Sequence, residues 1–251
     1  MKAFGLLVLF VGAAVAKSTR GNAAYTYTYS ETGLGGFYQL FTDYAPDLLN
    51  FNFDNAIKSV YQTGMWLYYE NVQYNQQSGK VYWVHGIEIS VDFPQDNWNM
   101  CSSLKFVGSP DYMNVDTWTV YEGPIFTGSE YYGEADAGTL GSITDQGSSI
   151  ILTGTSPWTF YDGTNWTGAS MCVYPNTDQD VGSAGQVLNF GIYPNVSERP
   201  RYNRQQHRLG TKGVLVRERG QCRTTQGRVQ RQERSLGSPG TLGTCNRMDV
   251  W

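Results

Sequence analysis

Histidine and cysteine, the side chains most often used to bind transition metals or attack a substrate, are few in this chain of 251 residues, which has two histidines, His85 and His207, and four cysteines, Cys101, Cys172, Cys222 and Cys245. Zinc is disfavoured, because no two cysteines stand in a C-x-x-C relation and the histidines are few. His85-Gly86-Ile87-Glu88 sets a base near an acid. It does so in a strand-like stretch where alternate residues share a face, which favours a packed or surface histidine over a catalytic one. The chain has no Gly-x-Ser-x-Gly elbow, phosphate loop or dinucleotide fingerprint, and nothing singles out a carboxylate pair for glycoside hydrolysis. Trp66, Trp83, Trp118 and Trp158, among seven tryptophans, offer a sugar-stacking face. Three of them recur at equivalent points of a repeat described below, which favours packing. The reading is therefore non-enzymatic.

The elements that would position such groups read as β throughout. Tyr25-Thr-Tyr-Thr-Tyr29, Lys80-Val-Tyr-Trp-Val84, Ile87-Glu-Ile-Ser-Val91 and Met171-Cys-Val-Tyr174 are rich in β-branched and aromatic residues and partly alternate with period two. Clusters of Gly, Asn, Asp and Pro separate them at strand-length intervals, and no long stripe of helical period interrupts the series. This pattern predicts an all-β sandwich or barrel.

With 40% hydrophobic, 14% aromatic and 16% charged residues, the chain can bury cores, and its length suits two compact domains. The charge divides unevenly. Residues 1–195 hold 6 of the 18 Lys and Arg and 18 of the 22 Asp and Glu, a net of −12, whereas residues 196–251 hold the other 12 and 4, a net of +8. Residues 1–16 read as a signal peptide, with Met1-Lys2, an apolar run from Ala3 to Ala16 and a small-x-small site at Ala14-Val15-Ala16. That run falls short of the roughly 18 to 20 residues that span a bilayer, so a secreted, extracellular protein with no membrane span is expected. The sequons Asn165-Trp166-Thr167 and Asn195-Val196-Ser197 suit that route. In an oxidising compartment four cysteines allow three disulfide connectivities, one of which joins Cys101 to Cys172 and Cys222 to Cys245.

Internal repeats organise the body. Asp54-Asn-Ala-Ile-Lys-Ser-Val-Tyr-Gln-Thr-Gly64, Trp98-Asn-Met-Cys-Ser-Ser-Leu-Lys-Phe-Val-Gly108 and Thr144-Asp-Gln-Gly-Ser-Ser-Ile-Ile-Leu-Thr-Gly154 share Ser and Gly at fixed offsets. An aromatic followed seven places on by Gly appears at Tyr29/Gly36, Tyr121/Gly128 and Tyr161/Gly168. Tyr69 starts a further unit without Gly at that distance; its hairpin reads as longer, turning at Ser78-Gly79. The starts are spaced 40, 52 and 40 residues apart, which means two pairs, with the extra residues in a turn-rich linker. A Gly there can take positive φ in a folded-over hairpin, and the Ser hydroxyl can bond a turn amide.

These elements resemble the βγ-crystallin family, whose Greek-key motif opens with an aromatic-x6-Gly, carries a later Ser and occurs two motifs to a domain. The resemblance covers roughly residues 25–195. It implies two βγ-crystallin-like Greek-key sandwich domains, at 25–108 and 118–195, joined by a linker at 109–117.

The resemblance also implies a metal. Many microbial and invertebrate members bind calcium through Asn/Asp-Asn/Asp-x-x-Ser/Thr-Ser, which supplies the six to eight hard oxygens the ion takes. Here unit one has Asp54 and Asn55 but Lys58 where the hydroxyl belongs. Unit two has Asn99 and Ser102 but Trp98 in the leading place, and unit three has Asp145 and Ser148 behind Thr144. Because the two loops of a domain exchange ligands in the family, Asp54 and Asn55 are expected to combine with Ser102, while Trp98 and Lys58 fall together at a ruined site. Calcium is the expected partner, with weak affinity. A defence or interaction protein on the same scaffold is the alternative: a toxin partner, a lectin-like glycan binder or a protease inhibitor.

Residues 196–251 hold eleven of the chain's twelve Arg and 2 of its 36 aromatics. That composition predicts a disordered basic tail. It reads either as a polybasic arm or as the product of a frameshift or mistaken exon; the body itself has no nucleic-acid signature.

Overall fold

The computed structural model describes residues 23–144, 146–175, 178–181, 187–196 and 215–218; for 178–181, 187 and 215–218 the backbone alone is described. Apart from single turns of helix, the regular structure among the described residues is antiparallel strand: β1 (Tyr25–Glu31), β2 (Gly35–Phe41), β3 (Ser59–Tyr69), β4 (Val81–Asp92), β5 (Ser103–Val107), β6 (Thr117–Tyr121), β7 (Glu130–Gly133), β8 (Ser149–Thr153), β9 (Trp158–Gly163), β10 (Thr167–Val173), β11 (Asp178–Val181), β12 (Val187–Tyr193) and β13 (Leu215–Glu218). Strands β1 to β5 pair among themselves, with β3 central to both layers. Its first half pairs with β1 and its second with β5, while β4 follows it throughout. Gly64 and Gly86 face each other where that ladder shifts register, so the two long strands bend there from one layer into the other. In the second half the layers separate into β11-β12-β8-β6-β7 and β10-β9-β13.

The repeated hairpins are built alike. Gly36, Gly128 and Gly168 have φ of 76°, 77° and 81°. The residue after each leading tyrosine folds over its glycine and accepts the next amide: Phe37 N–H donates to Ser30 Oγ (2.9 Å), Ser129 N–H to Glu122 Oε2 (3.3 Å) and Ala169 N–H to Asp162 Oδ1 (2.7 Å). Unit two makes the same bond over a longer hairpin, Lys80 N–H to Glu70 Oε2 at 2.7 Å, after the positive-φ Gly79. Its missing glycine is therefore Gly79. The late serine pins each hairpin twice. Ser59, Ser103 and Ser149 donate to the carbonyls of Glu31, Asn71 and Gly123 at 2.6 to 2.7 Å, and accept from the amides of Leu34, Tyr74 and Phe126 at 2.9 to 3.1 Å. All four hairpins place at least two consecutive residues in the left-handed region, at Gly33/Leu34, Gln73/Tyr74 (with Asn75 following), Ile125/Phe126 and Asn165/Trp166. The serine bonds hold that turn in units one to three.

Trp66, Trp118 and Trp158 lie fully buried at equivalent places, which removes them from any sugar-binding face. His85 packs its ring 5.3 Å from Phe190. Of the tail expected to lack structure, Val196 and residues 215–218 are described, and 215–218 depart from that expectation by pairing with β9. Leu215 stands opposite Tyr161 and Glu218 opposite Trp158, as Ser103 stands opposite Tyr69 and Phe106 opposite Trp66 in unit two. Strand β13 thus takes the closing place of unit four and covers an edge of β9 that would otherwise go unpaired. The Cys101–Cys172 connectivity is not formed: Cys101 is a free, buried thiol whose Sγ donates to Ser103 O at 3.2 Å. Cys172 is disulfide-bonded.

Candidate functional site

The motif loops meet in crossings between units. In units one to three the fifth-place residue holds one backbone role: the amides of Lys58, Ser102 and Ser148 each donate at 2.8 Å to the carbonyl of their unit's leading tyrosine. Their carbonyls accept, also at 2.8 Å, from the paired unit, namely from Phe93, Leu48 and Val196. Loops one and two are thereby held side by side.

One crossing brings together Asp54, Asn55 and the Cys101–Ser102 turn. Asn55, in the left-handed region at φ 53°, donates its amide to Cys101 O at 2.9 Å and its side-chain Nδ2 to Asp54 Oδ2 at 2.9 Å. The Asp54 charge reaches the Cys101 thiol, whose pKa is raised mainly by burial. Asp54, Asn55 and Ser102 bring a carboxylate, a side-chain amide and a hydroxyl to these two adjoining loops, oxygen groups of the kind a hard cation takes. At the other crossing Asn99, left-handed at φ 51°, follows Trp98, and Lys58 Nζ lies 5.7 Å from the Trp98 ring centre and 3.0 Å from Glu31 Oε2. An ammonium already stands where a metal would need oxygens, so these residues do not fit calcium. In the second half Ser148 Oγ donates to Gln146 O at 3.3 Å, a turn-capping bond, and Asp145 lies outside the described residues. Among the described residues no three His, Cys, Asp or Glu side chains converge to hold a metal, so any cation would rest largely on amide, hydroxyl and carbonyl oxygens.

The strongest electrostatic feature is one that the motif search passes over. Lys105 sits in β5, every residue of which is buried, and its side chain is 1% exposed. Its Nζ lies 2.7 Å from Glu130 Oε2 on β7, in the other half of the molecule. The rings of Tyr74, Tyr121, Tyr69 and Tyr44 surround it at 4.7, 5.0, 5.3 and 5.9 Å. Burial lowers the Lys105 pKa, and Glu130 opposes that shift. Burial likewise pushes the Tyr69 and Tyr121 hydroxyls well above their ordinary value, with the Glu130 charge adding to it. Around this cage the halves share a core: Tyr69 Oη donates to Phe126 O at 2.9 Å, Gly128 N–H to Asn75 O at 3.1 Å, and Trp83 meets Phe126 edge-on at 5.5 Å. The signal for this was present in Ser103-Leu-Lys-Phe-Val107, one charge inside a strand otherwise fit for burial. Its partner was not readable, because Glu130 belongs to a separate hairpin.

The family model of peptidase inhibitor family I36 matches residues 120–180. No curated protein sequence matches the chain. Among solved structures, the chain is similar to Geodin, a beta-gamma crystallin from Geodia cydonium, at 18% identity and a TM-score of 0.56, over 79% of this chain and 100% of that one. Four hairpin units with a shared left-handed pair, three of them pinned by the late serine, taken with that likeness, give this all-β chain the βγ-crystallin fold.

Proposed function

We propose that this chain is a secreted, non-enzymatic structural protein that binds calcium weakly through its Greek-key loops. One site lies where Asp54 and Asn55 of unit one meet Ser102 of unit two, and another draws on Asp145 and Ser148. The observation that carries this reading is the 2.9 Å bond from Asn55 N–H to Cys101 O, which sets the acidic end of one loop against the hydroxyl end of the other. Asn99 stands at the opposite end, where Lys58 serves as the resident cation. The signal-like N-terminus supports export, and the lack of a nucleophile elbow, phosphate loop or dinucleotide fingerprint in the sequence supports a non-enzymatic role. Oxygen donors with few carboxylates place the affinity at or below that of extracellular calcium modules, about 10⁻⁴ to 10⁻³ M.

Terbium luminescence with displacement by calcium tests the assignment on the full chain. Asp54→Ala should remove one class of site and Ser148→Ala weaken another, whereas Asn99→Ala should leave binding unchanged. Equal binding by the Asp54→Ala variant would sink the first site. A second reading, inhibition of a peptidase, is favoured by the family model over residues 120–180. It would show as stoichiometric loss of activity in a panel of serine, cysteine and metallo-peptidases.

A further inference from the structure

Strand β1 turns its large residues the wrong way for a core strand. Thr26 and Thr28 are fully buried, with Thr26 Oγ1 2.9 Å from Tyr68 Oη and Thr28 Oγ1 donating to Gln39 O at 3.2 Å. The alternate residues Tyr25, Tyr27 and Tyr29 therefore lie on the outer face, half-buried. Tyr38 of β2 stands opposite Tyr29, and Tyr61 of β3 stands opposite Tyr27. The five rings form one continuous cluster with neighbouring centroids 5.8 to 6.4 Å apart and planes inclined to one another by 36° to 78°, running from Tyr61 through Tyr25 and Tyr27 to Tyr38 and Tyr29. The described ring contacts of these five are with one another, and Tyr38 is 63% exposed. A one-residue shift of β1 would bury three tyrosines in place of two threonines, so burial alone does not account for the outward face. A contiguous aromatic surface of this kind marks a place of contact.

Charge selects the class of partner. Asp92 and Glu88 stand at the β4 side of the layer, Asp92 accepting from Gly33 N–H at 2.7 Å and Glu88 acting on the Tyr61 hydroxyl. Lys58, next to β3, has its ammonium held by Glu31 at 3.0 Å and over the Trp98 ring. Carboxylates along one side of neutral rings disfavour nucleic acid, sulfated glycans and anionic membranes. Flat tyrosine rings instead suit the C–H faces of pyranose units, whose hydroxyls find the phenol groups as hydrogen-bond partners.

We propose that the Tyr25, Tyr27, Tyr29, Tyr38 and Tyr61 layer is a binding surface for an extended neutral polysaccharide. The glycan lies along the sheet with successive sugar rings on successive tyrosines. This surface is separate from the calcium loops and does not depend on them.

Co-sedimentation of the full chain with cellulose, chitin and an insoluble β-1,3-glucan tests it, with heparin-agarose and phosphatidylserine vesicles as anionic controls. The expected result is retention by at least one neutral polysaccharide and by neither control, insensitive to a calcium chelator. Tyr38→Ser should weaken retention several-fold and Tyr27→Ser with Tyr61→Ser at least tenfold. Should the double variant misfold, Tyr38→Ser alone decides, since its ring is the most exposed of the five. Retention by none of the three polysaccharides would overturn the proposal, as would undiminished retention of Tyr38→Ser or preference for an anionic control. So would a dimer in sedimentation velocity that Tyr38→Ser dissociates, because the face would then join two copies.

Discussion

Glu130→Ala should be among the most damaging single substitutions in this molecule. The Lys105 ammonium is 1% exposed, 2.7 Å from the Glu130 carboxylate and ringed by four tyrosines. Removing the carboxylate leaves a desolvated cation with aromatic faces as its compensation. Breaking one side of such a buried pair costs about 3 to 5 kcal/mol. The exposed Lys58–Glu31 pair, with Glu31 61% exposed, is worth about 0 to 1 kcal/mol by comparison. At roughly 2 to 4 °C per kcal/mol for a chain of this size, the melting temperature should fall by roughly 6 to 20 °C. Lys105→Met should cost less, because Glu130 keeps 19% exposure and can turn towards water. Combining Lys105→Met with Glu130→Gln replaces both charges by groups of similar shape and should recover most of the loss. Urea and thermal unfolding of the wild type, Lys105→Met, Glu130→Gln and their double close the cycle, with Glu130→Ala measured beside them. Glu130→Ala within about 1 kcal/mol of wild type, or a double variant as unstable as the sum of its singles, would refute the reasoning.

The hairpin anchors make sharper local predictions. A Cβ at Gly36 would lie 2.3 Å from Ser30 Oγ, at a φ of 76°, so Gly36→Ala should cost about 1 to 3 kcal/mol in urea unfolding. Ser103→Ala removes one bond accepted and one donated at the unit-two turn and should also cost about 1 to 3 kcal/mol, with faster hydrogen exchange at the Tyr74 amide. Alkaline pH should unfold the protein. Burial raises the Tyr68, Tyr69 and Tyr121 hydroxyls well above 10.0, so their contribution is intact below the unfolded value of 10.0 and is lost as pH climbs above it. Lys105 acts in the opposite sense, since its lowered folded pKa makes the unfolded chain the better proton binder just below 10.5; three tyrosines outweigh one lysine. Absorbance near 295 nm should show these phenols ionising together with the loss of near-ultraviolet circular dichroism. Ionisation of all the tyrosines before unfolding would contradict that order.

Much of the architecture was legible because hairpins are local. Tyr-x6-Gly and the late Ser each specify a bond within one unit, and all of those bonds are present at Gly36, Ser59, Gly128 and Ser149. The unit-two glycine hid at Gly79 behind a longer hairpin, yet Ser78-Gly79 was a visible turn. The juxtaposition of Lys58 with Trp98 and of Asn55 with the Cys101–Ser102 turn also followed, because paired units cross in a fixed way. What lay beyond the sequence were contacts between units joined by long connections. Lys105 with Glu130 spans both halves, and the pairing of Leu215–Glu218 with β9 follows a segment whose composition resembles no strand. The outward tyrosines of β1 were read as strand residues, but alternation alone cannot say which face meets water.

Isothermal titration of calcium into the full chain, paired with melting curves, tests the functional account most directly. It predicts a saturable heat with a Kd of about 10⁻⁴ to 10⁻³ M, and stabilisation at about 10 mM calcium of roughly 1 to 3 kcal/mol, halved or less in Asp54→Ala. A flat isotherm with an unmoved melting temperature at that concentration would contradict it and leave the loops as turns held by their own hydrogen bonds.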